Sequence, residues 1–75
     1  MKYVIIEKNF AEVPIIFPDM IPHDFFSNLK PISAGKMRVG KNNEYFAWGA
    51  SHSLQLKSRP EDAEIIKHAF EFEGV

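Results

Sequence analysis

The stretch Tyr45-Phe46-Ala47-Trp48-Gly49-Ala50-Ser51-His52-Ser53-Leu54-Gln55-Leu56 decides how the rest of the chain is read. Side chains along a strand alternate between its two faces. Even positions run Phe46, Trp48, Ala50, His52, Leu54 and Leu56, whereas odd positions run Tyr45, Ala47, Gly49, Ser51, Ser53 and Gln55. The alternation predicts one strand with a dry face and a wet face. Phe46 and Trp48 then belong to the scaffold, and Tyr45 is the one aromatic on the polar side. His52 falls on the apolar face and is the anomaly of the pattern, while Gly49 marks a place where a bulge would flip the parity.

Immediately upstream, Gly40, Lys41, Asn42 and Asn43 tolerate positive φ and supply a hairpin turn. Before them Ile32 to Val39 reads as a strand. Its apolar parity switches from Ile32 and Ala34 to Met37 and Val39 across Gly35, which suggests a bulge or a close backbone approach. His23 to Leu29 fits a helix of two turns that gathers Phe25, Phe26 and Leu29 on one face, closed by Lys30 and Pro31. Nearer the N-terminus, Tyr3 to Glu7 is a β-branched run suited to a strand buried on both faces. Val13 to Phe17 is its hairpin partner across a turn at Asn9 to Glu12. Pro14 places that partner at an edge or beside a bulge, since proline lacks the N–H for a central ladder, and Pro18-Asp19 ends it.

Downstream, Ser58-Arg59-Pro60-Glu61 has the S-x-x-E pattern of a capping box, with Asp62 and Glu64 in the first turn. The helix that follows lines up Ala63, Ile66, Ala69 and Phe70, with Ile65 and Phe72 beside them and Gly74 as its stop. The order β-β-α-β-β-α predicts an α+β fold for a single domain spanning 1–75. It comprises a four-stranded, mainly antiparallel sheet with the C-terminal helix packed on one face. A sheet completed by a second copy of the chain is the alternative.

A chain of 75 residues makes one small domain, and 45% apolar residues supply it with a core. Cysteine is absent, so packing or dimerisation must do what a disulfide or thiolate metal site often does at this size. The apolar run at the N-terminus is shorter than a secretory core, and no stretch approaches the roughly 20 apolar residues of a membrane span. The expected location is the cytoplasm. The net charge of −1 is uneven: residues 1–29 sum to −2, residues 30–59 to +5 and residues 60–75 to −4. Either the basic middle and the acidic end neutralise one another, which is the first expectation, or they form two poles.

His23, His52 and His68 match no metal-ligand spacing, and a structural cap or turn hydrogen bond is the expected role of His23. Ser51 and His52 are neighbours that point to opposite faces of a strand, so they do not make a nucleophile and base. Neither Gly35 nor Gly40 belongs to a phosphate-binding glycine motif. No catalytic residue, metal, cofactor or small-molecule substrate is assigned, and the chain is read as a non-enzyme. Candidate binding residues are Lys36, Arg38, Lys41, Tyr45 and Arg59. The first four would hold single-stranded nucleic acid by combining cations with an aromatic, although a pI near 6.3 opposes that role. Arg38, Tyr45 and Arg59 are also types that anchor protein interfaces.

The segment Ser53-Leu54-Gln55-Leu56-Lys57-Ser58-Arg59-Pro60-Glu61-Asp62-Ala63-Glu64-Ile65-Ile66, with Val13-Pro14-Ile15-Ile16-Phe17-Pro18 and Ile32-Ser33-Ala34-Gly35, resembles small uncharacterised proteins encoded by bacteriophages and prophages. The resemblance implies an accessory protein acting inside the host cell and binding host or phage proteins. The sequence is therefore read as an interaction protein, monomeric or homodimeric, whose partner is a protein or itself ahead of nucleic acid. No membrane is involved in that reading. A module for single-stranded nucleic acid, using the basic hairpin, is the alternative.

Overall fold

In Tyr3-Val4-Ile5-Ile6 every position is apolar, so neither side of this strand can be left wet, and the chain covers it on both sides. The computed structural model describes residues 1–73, with side chains to Glu71. Strands β1 (Lys2–Lys8), β2 (Ala11–Phe17), β3 (Ser33–Val39) and β4 (Tyr45–Trp48) form an antiparallel sheet in the order β2-β1-β3-β4. Tyr3, Val4 and Ile5 at its centre are fully buried. Helix α1 (Asp62–His68) packs on one face, where Tyr3, Ile5, Met37 and Ile66 form a core joined by Ile16, Tyr45, Ala47 and Ile65. On the opposite face Val4, Phe17 and Ala34 meet Phe26, from the 3-10 helix His23–Leu29, and Leu54 and Leu56. The expected α+β fold is thus the observed one, and four strands of one chain complete the sheet.

Hairpin β1–β2 turns through two residues, Asn9 and Phe10, whose φ values of 54° and 66° are both left-handed. Such a pair matches the right-handed twist of the flanking strands. β2 is an edge strand, as Pro14 demands. In β3 the register runs unbroken from Ser33 to Lys36, so Gly35 makes no bulge. Its lack of a side chain serves the close approach instead: the Trp48 carbonyl oxygen occupies the space a Cβ would fill. Residues 33 to 35 are buried on both faces, and this double burial, not a slipped register, is why the apolar parity switches.

The reading of residues 45–56 as a single strand is overturned. At Gly49 the backbone takes φ +86°, β4 ends, and the chain folds into a small hairpin of β5 (Ala50–Ser51) and β6 (Leu56–Lys57). A turn closed by Gln55 N–H on the His52 carbonyl at 3.2 Å separates the two, and His52 is exposed within it. Leu54 and Leu56 therefore belong to a different element, and their parity carries no information about residues 45–48. There the order is reversed: Tyr45 and Ala47 face the helix, whereas Phe46 and Trp48 face the other way and are 38% and 45% exposed.

Two smaller expectations also change. Ser58 makes no capping box, because its backbone N–H is committed to the Gly49 carbonyl at 2.9 Å. The helix begins instead at Asp62, after a turn in which Asp62 N–H bonds the Arg59 carbonyl at 3.1 Å. Phe25, Phe26 and Leu29 do not share a buried face: Phe26 packs on Phe17 at 4.7 Å between rings, Phe25 is a third of a turn away from it and exposed, and Leu29, one turn on from Phe26, is exposed at the end of the 3-10 helix. After α1 the chain continues as a π-helical stretch, Ala69–Glu73; the Phe72 side chain and Gly74 lie outside the described residues.

Candidate nucleic-acid interface

Cross-strand partners in an antiparallel ladder share a face, so the register of β3 and β4 builds this site directly. Lys36 stands opposite Trp48 and Arg38 opposite Phe46, while Lys2 of β1 is the partner of Lys36 on its other side. All five side chains lie on the face away from α1. The 3-10 helix and the β5–β6 hairpin cover the apolar part of that face and leave this basic, aromatic part open.

Each member has a defined place. The Arg38 guanidinium stacks over the Phe46 ring, 4.3 Å from its centroid. Beneath that ring lies Gly40, where a Cβ would come 2.8 Å from Phe46 Cε2. Lys2 Nζ donates to the Ile21 carbonyl at 3.0 Å and so ties the loop before the 3-10 helix to the sheet. Among the described residues, neither Lys36 nor Arg38 makes an ion pair. Gly35 links this patch to the interior: its carbonyl accepts a 2.9 Å hydrogen bond from Nε2 of buried His23, whose ring meets Phe17 edge-on. His23 thus makes a long-range bond to β3 in place of the local cap or turn bond expected of it.

Of the candidate residues read from the sequence, the structure brings Lys36 and Arg38 together. Lys41 is exposed in the turn Lys41–Asn43 that joins β3 to β4. Tyr45 is on the wrong side of the sheet for this patch, half-buried under α1 with its ring 5.7 Å from that of Phe70. Arg59 is also elsewhere, held by Glu12 at 2.8 Å, Asp62 at 3.0 Å and Glu61 at 3.6 Å. Hydrogen bonding to Glu12, then the charge of Asp62, raises its already high pKa, so it serves as a permanent cation inside the fold. Phe46 and Trp48 were missed because the alternation was extended through Gly49. The turn signal of Ser51-His52-Ser53, read as a stop, would have freed residues 45–48 to take the opposite parity.

The acidic residues gather on the other side. Glu12, Glu64 and Glu71 line a cleft of about 530 Å³ between β2 and the C-terminal end of α1, together with Lys67, His68 and the apolar Pro14, Ile65 and Ala69. Carboxylates are thus concentrated on the α1 side, where Arg59, Lys67 and His68 accompany them, while Lys36 and Arg38 stand on the other side of the sheet. Among the described residues no group of His, Asp or Glu could hold a metal ion, and no helix is long and apolar enough to cross a membrane. No protein-family model, curated protein or solved structure matches the chain.

Proposed function

We propose that the protein binds single-stranded nucleic acid through the open β3–β4 face, without turnover. Lys36 and Arg38 hold phosphates, and the aromatic surface beside them receives a base. The observation that carries this reading is the exposed Trp48 ring, in register with Lys36 and next to the Arg38–Phe46 stack. A side chain of this size left 45% exposed beside two cations is matched to a ligand that is flat at one end and anionic at the other. The pI near 6.3 reflects carboxylates on the opposite side of the sheet, and a ligand at the β3–β4 face meets the local charge. Titration with an oligonucleotide, followed by Trp48 fluorescence, tests the proposal. Two phosphate contacts give a slope of about −1.4 for log K against log[salt]. Absence of binding at low salt overturns it.

A second reading is favoured by a different observation. Phe10 at the β1–β2 tip is fully exposed, Met20 and Phe25 are largely so, and β2 and β4 are both open edges. These features support a small interaction protein that binds a protein partner or a second copy of itself. The resemblance to phage-encoded proteins supports the bacterial cytoplasm as the setting for either activity. Light scattering on the pure protein, and capture of a partner that is lost with Phe10→Asp, distinguish this reading from the first.

A further inference from the structure

Resting on the nucleic-acid reading, we infer that the two exposed rings divide the work. Trp48 stacks a single unpaired base, and Phe46 is a positioning residue that holds Arg38 for the phosphate. The two rings are not equivalent. One face of Phe46 is taken by the Arg38 guanidinium at 4.3 Å and its edge rests on Gly40, so little of it is left for a base. Trp48 carries no stacked partner among the described residues and is the more exposed of the pair.

A guanidinium lying flat on a ring keeps its in-plane N–H donors directed outward, which suits bidentate contact with phosphate oxygens. Lys36, two residues away on the same face of β3, supplies a second cation about 6.6 Å along the strand. Trp48 is directly opposite Lys36 and diagonal to Arg38, and diagonal neighbours are roughly 7 to 8 Å apart. That span is comparable with the reach from a base to its own phosphate. The occupant is therefore one nucleotide of a single strand with its base unstacked from its neighbours. A duplex keeps both faces of each base covered and does not fit.

The experiment compares a thymidine homooligomer with an abasic oligomer of equal length on wild-type protein and on Trp48→Ala, Phe46→Ala and Phe46→Tyr, with melting temperatures as the control for folding. Wild type should prefer the thymidine oligomer by about fivefold or more. Trp48→Ala should erase that preference with the salt slope intact. Phe46→Ala should keep the preference and the fluorescence quenching but flatten the slope by about 0.7, the share of one phosphate contact on a single strand, and Phe46→Tyr should restore it. Loss of the preference in Phe46→Ala, or an unchanged slope, overturns the division of labour. Equal wild-type affinity for both oligomers overturns the base-stacking role while leaving electrostatic binding in place. Binding of neither oligomer removes the functional reading itself.

Discussion

Asp62 is fully buried, yet its carboxylate accepts hydrogen bonds from Tyr3 Oη at 2.6 Å and from Arg59 N and Nε at 3.0 Å. A buried charge is tolerated only with partners of this kind. Arg59→Ala would leave it short of its cation, at a cost of about 3 kcal/mol. Melting temperature should fall while oligonucleotide affinity stays unchanged, because Arg59 is remote from the β3–β4 face. Trp48→Ala should give the reverse: a stability loss by thermal melting well below the roughly 3 to 5 kcal/mol of a core aromatic, since nearly half of the residue is open to solvent, and weaker binding. Burial, and then the bond to Asp62, push the Tyr3 phenol far above its ordinary value of 10.0. The unfolded chain releases that proton near its ordinary value and the folded chain retains it, so Tyr3 contributes stability that is complete below about pH 10 and declines as pH rises further. Alkaline denaturation should therefore steepen above about pH 10 in wild type, and Tyr3→Phe should lose this component.

Elements were legible where composition left one solution. Tyr3 to Ile6, apolar at every position, read as a strand buried on both faces, Pro14 limited its strand to an edge or a bulge, and the stripe through Ile66 read as a helix against a sheet. Residues 45–56 offered two solutions, because Leu54 and Leu56 carry the same parity as Phe46 and Trp48 without belonging to the same element. The left-handed backbone at Gly49 and the turn closed between His52 and Gln55 separate them, and alternation by itself registers neither. Ala47 then faces α1, where its small side chain lets the helix approach β4, and the larger rings turn outward. The same logic explains Gly35, where close approach and bulge share one signature in sequence. Gly35→Ala should destabilise the protein by about 1 to 3 kcal/mol in a denaturant titration, since the Trp48 carbonyl is backbone and has to move to admit a methyl group. Phe10→Gly should do the opposite. The left-handed conformation costs a side-chain-bearing residue about 1 to 2 kcal/mol, and an exposed phenylalanine recovers none of it by packing within the fold, so the denaturation midpoint should rise.

At the scale of the molecule, the sheet separates two chemistries. Carboxylates flank α1 together with Lys67 and His68, while Lys36 and Arg38 occupy the other side and, among the described residues, keep their charge unpaired. The sequence carried the imbalance but not its disposition, which depends on which way β4 faces. Arg59 is the exception, drawing Glu12 of β2 to the turn that opens α1. The Tyr3–Asp62 bond joins positions 59 apart in the chain, so β1 finds its polar partner only when a long intervening segment has folded back on it. Until α1 docks, the Tyr3 hydroxyl is without its acceptor, and Ile5 and Met37 lack the cover that Ile66 supplies. Closing so long a loop before its contacts are made is entropically costly, so folding should be slower than for a chain whose core contacts are local.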